Sequence, residues 1–245
     1  MSSTGRWGRR GREVRMRQWD AIDSAEVPED DGRMMLLNRG SEWAVYVDDR
    51  QLMTNRQHGS EAALADWACD RLDPDHLAEA RILVGGMGCG FTLAAALRRV
   101  GPEGEVTVAE LVPEVVRWNQ DYQLGKAAGY PLRDPRAKVY LGCVGDLVEQ
   151  PPAPWSAILI DTDNGPMHLT RPSNGWLYHR QGLEGAFHAL CPGGVLGIWS
   201  AAPDAGLTRR LRKLGFETEM LRYTEEGRPT PDGSGTQVLW MARRP

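Results

Sequence analysis

Ala80-Arg-Ile-Leu-Val-Gly-Gly-Met-Gly-Cys-Gly-Phe-Thr-Leu-Ala-Ala-Ala-Leu97 is the stretch whose reading decides the fold, with Val106-Thr-Val-Ala-Glu-Leu-Val-Pro113 following one helix length later. Ile82 to Val84 form an apolar run too short for a helix. The glycines at 85, 86, 88 and 90 let the backbone turn tightly and approach a ligand closely. Phe91 to Val100 has helical spacing, Gly101-Pro102 stops it, and Val106 to Ala109 reads as a second buried strand ending on Glu110. The pattern is a βαβ unit with an acid at its second strand tip. A carboxylate about twenty residues beyond a glycine loop can accept both hydroxyls of a ribose while the loop amides face the rest of a nucleoside.

The loop is not a dinucleotide fingerprint. G-x-G-x-x-G needs a third glycine at Phe91, whereas the spacing here is G-x-G-x-G at Gly86, Gly88 and Gly90, and no P-loop Gly-Lys-Ser/Thr follows. A nucleoside without phosphates, of the S-adenosylmethionine type, fits such a loop better than NAD or ATP. The alternative is a tight βα turn serving only a doubly wound fold.

Outward from this unit, the 245 residues allow one large domain with an appendage and a substantial core. A net charge of −4 sets up no chain-wide field for nucleic acid or membrane, and no apolar run is long enough to span a bilayer. Arg6, Arg9, Arg10, Arg12, Arg15 and Arg17 lie among glycines without the apolar centre of a signal peptide, which reads as a disordered basic tail within a lead-in covering residues 1–32. Cys69, Cys89, Cys143 and Cys191 are scattered, which suits reduced thiols and a cytoplasmic protein. Neither they nor the histidines at 58, 76, 168, 179 and 188 have metal-ligand spacing, so no metal is expected.

Residues 33–72 read as a small β appendage and linking helix. Met34 to Leu37, Trp43 to Val47 and Gln51 to Met53 alternate like antiparallel strands, and Glu61 to Leu72 is amphipathic with Ser60 as N-cap. Residues 73–245 read as the main domain. Pro113 opens a helix through Asn119, and a third strand, Lys138 to Leu141, runs into Gly142-Cys-Val-Gly145-Asp146. There Asp146 either accepts an adenine amine or merely caps the helix at Leu147.

Ala157 to Ile160, a very apolar strand, delivers Asp161-Thr-Asp-Asn-Gly-Pro166. Ligands of parallel sheets bind outside the carboxyl ends of strands, so Asp161 and Asp163 are the catalytic candidates, with Asn164 beside them, against the alternative of an Asx-rich turn. A helix from about Asn174 to Leu190, a turn at Cys191-Pro-Gly-Gly194, a strand at Val195 to Trp199, a helix at Leu207 to Leu214 and strands at Glu217 to Arg222 and Gln237 to Met241 complete the pattern.

Glycine loop, acid-tipped strand, Gly-Asp, D-x-D-N-G-P and Pro-Gly-Gly-Val together resemble the spermidine synthase branch of the Rossmann-like, class I methyltransferase superfamily, over about residues 33 to 242. The resemblance implies an α/β fold with a Rossmann-like, seven-stranded, doubly wound sheet and a small N-terminal β appendage. It implies that Glu110 binds ribose, Asp146 the adenine amine, Asp161 the acceptor amine, and that Glu61 is the glutamate on the helix after the appendage. Gly86, Gly88, Cys89, Gly90 and Gly145 would line the cofactor.

The departures bear on chemistry. The family usually has an aspartate where Cys89 stands, a Tyr-Gln pair where Gly59 and Ser60 stand, and D-S-S-D where Asp161-Thr-Asp163 stands. A diamine ammonium left unpaired in a closed site costs several kcal/mol, which suggests a changed donor or acceptor. The expectation is therefore a methyltransferase using intact S-adenosylmethionine on a small amine, carboxylate or peptide. The alternatives are an aminopropyltransferase using the decarboxylated nucleoside and a non-catalytic nucleoside-binding module. His58, Tyr178 and Trp199 are candidate acceptor-pocket walls, and a homodimer is possible; nucleic acid is not an expected partner.

Overall fold

Strand pairing and packing divide the chain into two units, Met1–Arg56 and Gln57–Pro245. The computed structural model describes residues 19–28, 32–48, 50–56, 58–162, 175–224, 228–230, 233–235 and 237–245.

The first unit is a four-stranded antiparallel sheet in the order β1 (Asp20–Glu26), β2 (Arg33–Arg39), β3 (Glu42–Val47), β4 (Arg50–Thr54). Leu36, Ala44 and Val45 are fully buried on these strands. β1 corrects the assignment of residues 1–32 to a tail and lead-in. Asp-Ala-Ile-Asp-Ser-Ala-Glu is poor in strand formers, but it pairs along the length of the apolar β2, with an irregularity between Ala21 and Asp23, so pairing with its partner strand overrides its weak propensity.

The second unit begins with α1 (Gly59–Cys69), then α2 (Pro74–Leu77), β5 (Arg81–Gly85), α3 (Phe91–Arg99), β6 (Glu105–Glu110), α4 (Pro113–Asp121), β7 (Ala137–Leu141), α5 (Val144–Glu149) and β8 (Trp155–Ile160). It continues with α6 (Gly175–Tyr178), α7 (Arg180–Ala189), β9 (Leu190–Ser200), α8 (Ala205–Lys213), β10 (Glu217–Tyr223) and β11 (Gln237–Arg243). The sheet order is β10-β11-β9-β8-β5-β6-β7. β5 through β9 pair in parallel, while β11 runs antiparallel to both β9 and β10. This is the α/β, Rossmann-like arrangement of the class I type, with the four-stranded sheet ahead of it in sequence.

The helices cover both faces because Ile82–Val84 of β5 and Ala157–Ile160 of β8 are apolar at successive positions and must be buried twice. Leu83, Ile158 and Ile160 pack with Val148, Leu183, Leu207 and Leu211 of α5, α7 and α8. The other face meets α1, where Leu64 and Leu159 close over Gly197. Arg99 of α3 donates to the Asp66 and Asp70 carboxylates, locking α1 to α3. The helix that the sequence reading joined to the appendage thus packs in the second unit.

Three local expectations change. His58, not Ser60, holds the N-cap position of α1, and Ser60 is buried in the first turn with its hydroxyl committed elsewhere. The helix expected from about residue 174 is two helices separated at His179, whose backbone is extended. Cys191-Pro-Gly-Gly194 is a bulge inside β9 rather than a turn before it: Trp155 pairs with Leu190 and Ala157 with Val195, so the extra residues are looped out without ending the strand. Gly193 N donates to Arg244 O and Arg244 N to Gly194 O, which fastens the bulge to the end of the chain. Among the described residues no helix is long and apolar enough to cross a membrane.

Candidate active site

The site is built where β5, β6 and β8 end side by side. Asp161 N donates to Gly85 O at 3.0 Å and Gly86 N to Ala109 O at 2.9 Å, so the three tips are tied by backbone before any side chain contributes. Gly86, Gly88 and Gly90 all have positive φ, at +90°, +50° and +84°. At Gly90, the residue preceding α3, a Cβ would lie 2.9 Å from Pro131 Cγ, so this turn is closed to side chains.

Glu110 is anchored by the same loop. Its Oε2 accepts from Met87 N at 3.0 Å and its Oε1 from Val112 N at 2.9 Å. Burial pushes this carboxyl above its ordinary range, and the amides of Val112, Met87 and Leu111 oppose that by stabilising the anion. The carboxylate keeps acceptor capacity beyond these amides, which suits a ribose hydroxyl.

Beneath the loop, Asn119 of α4 donates through Nδ2 to Gly88 O at 2.8 Å and to Val115 O at 2.9 Å. Asn119 is 2% exposed. Sequence reasoning saw only a helix residue there; the available signal was a polar side chain four positions after Val115, on the apolar face.

At the β7 end, the neighbouring residue excludes the cap reading of Asp146. Cys143 occupies the cap position of α5, its sulfur accepting from Gly145 N at 3.4 Å, so Asp146 is not the cap. Asp146 is exposed and accepts from the Tyr140 hydroxyl at 3.1 Å. That bond, first, and then partial desolvation raise the Tyr140 hydroxyl above its ordinary range. Gly145 packs under the Trp176 ring, 3.2 Å from where a Cβ would sit.

The acids of β8 and α1 form the chemically distinctive part. Asp161 Oδ2 accepts from Thr92 Oγ1 at 2.7 Å. Its carboxyl is pushed up to about 8, by burial first and then by the nearby charge of Glu61, with the Thr92 hydroxyl pulling the other way. Glu61 is raised too, by burial, and is eased by backbone amide, Ser60 and His58. Cys89 lies between loop and acids; burial and the charges of Glu61 and Asp161 push its thiol far up, leaving it neutral. Two buried carboxyls, one of them raised further by the charge of the other, are poised to accept a cation.

Ser60 Oγ donates to Glu61 Oε2 at 2.9 Å and accepts from Trp199 Nε1 at 2.9 Å. The Trp199 indole therefore orients the Glu61 carboxylate through a hydroxyl. His58 stacks on Phe91, ring centroids 4.0 Å apart and planes at 17°. Thus Gly86, Gly88, Cys89, Gly90, Glu110 and Asp161 gather around one loop, with Glu61, His58 and Trp199 linked to it through the acids and Ser60. Tyr178 instead lies in the buried cluster with Leu177 and Leu183. Asp163 and Asn164 lie outside the described residues. Among the described residues no group of three or more metal-ligating side chains occurs. Thr92 and Ser60, absent from the expected set, are the hydroxyls that hold the two acids.

No protein-family model matches the chain, and no curated protein matches it by sequence. Solved structures do match in three dimensions. A spermidine synthase in complex with the transition-state analogue AdoDATO superposes with a TM-score of 0.73 at 20% identity, covering 92% of this chain and 74% of that one. The spermidine synthase of Thermotoga maritima gives 0.69 at 19% identity over 92% and 72% of the two chains. A probable spermidine synthase from Corynebacterium glutamicum ATCC 13032 gives 0.61 at 17% identity over 91% and 80%. At such identities the likeness establishes architecture, and the chain has the fold of the spermidine synthases, a branch of the class I S-adenosylmethionine-dependent methyltransferase-like fold.

Proposed function

We propose that this chain transfers an aminopropyl group from decarboxylated S-adenosylmethionine to an amine acceptor. The observation that carries the reading is the Glu61 and Asp161 pair at the mouth of the glycine loop, each acid raised by burial and Asp161 further by its neighbour. A cationic ammonium between them relieves the repulsion; an anionic group there adds to it. The spermidine synthase fold supports the same direction. This reverses the expectation of methyl transfer from the intact donor, whose carboxylate would have to share space with the two acids.

The residues present fit such a nucleoside. Glu110 offers its carboxylate to the ribose, Asp146 offers an acceptor to the base amine, and the glycine-rich loop lets the tail pass over Cys89 toward the acids. The sulfonium donor brings its own leaving group, so the protein's task is to hold the acceptor nitrogen in line and unprotonated. The nitrogen forms a bond to carbon, the carbon–sulfur bond breaks with its electrons going to sulfur, and the acceptor's proton goes to Asp161. A base whose affinity for protons lies near neutrality is matched to that step.

A second reading, methyl transfer, is favoured by Cys89 alone, since the loop carries no acid that demands an ammonium on the donor. Calorimetry with each donor separates them. At least tenfold tighter binding of the decarboxylated form, about 1.4 kcal/mol, is expected. Equal affinity, or a preference for the intact donor, overturns the aminopropyl reading in favour of methyl transfer.

A further inference from the structure

Thr92 is placed to do more than fill space. Its Oγ1 lies 2.7 Å from Asp161 Oδ2 and 3.3 Å from the Glu61 carbonyl oxygen, and the residue is 3% exposed, so water has little access to the hydroxyl. Position 92 is the second residue of α3, and a β-branched side chain on a helix has few χ1 choices. A hydroxyl has one hydrogen to give and two lone pairs with which to accept. Of its two acceptors here, it can serve only one fully at a time.

We propose that Thr92 is a positioning residue that ties the protonation of Asp161 to the first turn of α1 by moving one hydroxyl hydrogen between two acceptors. When Asp161 is ionised its carboxylate can only accept, so Thr92 donates to it and the Glu61 carbonyl loses this donor. When Asp161 is protonated its O–H can donate to Thr92 Oγ1, and the Thr92 hydrogen turns to the Glu61 carbonyl. The ionisable groups that face Asp161 among the described residues are Glu61 from α1 and Cys89 from the glycine loop, with His58 acting on Glu61. The Thr92 hydroxyl lies within hydrogen-bond distance of both ends of the link. The functional consequence rests on the amine-acceptor reading: a cation seated on the acids favours ionised Asp161, and α1 then gives up one hydrogen bond at the turn that carries Ser60 and Glu61.

The test uses the ligand-free protein, so that it can fail separately from any assignment of donor or acceptor. Carbon-13 NMR follows the Asp161 side-chain carboxyl and the Glu61 backbone carbonyl across pH 4 to 10, in the parent and in Glu61→Gln, where Glu61's own titration is removed. Both signals are expected to step at one midpoint. In Thr92→Val the Asp161 midpoint should rise by about one pH unit, equivalent to about 1.4 kcal/mol, and the Glu61 carbonyl step should vanish; Thr92→Ser should restore both. A Glu61 carbonyl that stays flat through the Asp161 titration in the parent or in Glu61→Gln overturns the proposal, whatever the folding of the valine variant. So does a valine variant with both curves unchanged. A protein that proved to use the intact donor would leave these outcomes as they are.

Discussion

A Cβ placed on Gly86 would sit 2.5 Å from the carbonyl oxygen of Asp161 and 3.2 Å from its carbonyl carbon. The glycine loop and the acid-bearing strand tip therefore touch backbone to backbone, and a missing side chain sets where Asp161 stands. Gly86→Ala adds this clash to a φ of +90°, a region costly for alanine. A loss of about 1–3 kcal/mol of stability is expected, with donor binding weakened at least tenfold. Thermal melts and calorimetry check it; an unchanged melting temperature together with unchanged affinity contradicts the contact.

Glu110 has a structural share in the loop that the sequence did not suggest. Glu110→Ala removes the acceptor for Met87 N and Val112 N as well as the carboxylate proposed to hold the ribose. It should lower stability by about 1.5–3 kcal/mol, the scale of hydrogen bonds to a charged group, and abolish measurable donor binding. Glu110→Gln retains one acceptor oxygen and should be closer to the parent in stability yet still poor in binding. If the alanine variant binds donor normally, the ribose assignment fails.

Asp161 sets a pH dependence with a definite sign. Its ordinary value is 3.8 and its folded value is about 8, so between these limits the folded protein holds a proton that the unfolded chain has released. Stability tied to this group is complete below about pH 4 and is lost as pH rises through 8. Asp161→Asn has no charge to bury. Its melting temperature relative to the parent should climb from pH 5 to pH 9 by the equivalent of at least about 1.4 kcal/mol, one pKa unit. A difference that is flat with pH would show that the acid is not buried in this way. Turnover, once an acceptor is found, should fall by roughly 10² with donor binding within a few-fold of the parent.

Trp199→Phe tests the orientation of Glu61. It keeps an aromatic side chain at this position but deletes the indole N–H that fixes Ser60. Acceptor affinity should fall about three- to tenfold, in line with one hydrogen bond of about 0.5–1.5 kcal/mol, while donor affinity holds. Equal losses for both would mean that the indole supports the whole pocket rather than Glu61.

The parallel strands and their acidic tips were legible because β5 and β8 are apolar at successive positions, a pattern that short strands buried on both faces require. Elements defined by distant partners were not. Asp20–Glu26 is a strand only because β2 lies beside it. Ser60 has the composition of a cap, yet its hydroxyl is drawn to Trp199, far along the chain. Pro-Gly-Gly at 192–194 has the same chemistry whether it ends a strand or bulges within one; the difference lies in the pairing of Leu190 with Trp155. Thr92 and Asn119 are single polar residues on buried helix faces, which leave no periodic mark. Cys89, by contrast, was legible as a departure from the glycine-loop pattern, and its neutral thiol is what its enclosed position dictates.

The antiparallel seating of β11 against β9 has a consequence for biogenesis. β9 is paired on one side by β8, and its other side stays open until β11, which follows the segment 201–236, has been synthesised. Until then a long, mostly apolar strand presents unpaired amides and carbonyls, the kind of edge that recruits other chains. The final strand is thus also the chain's own protection against aggregation.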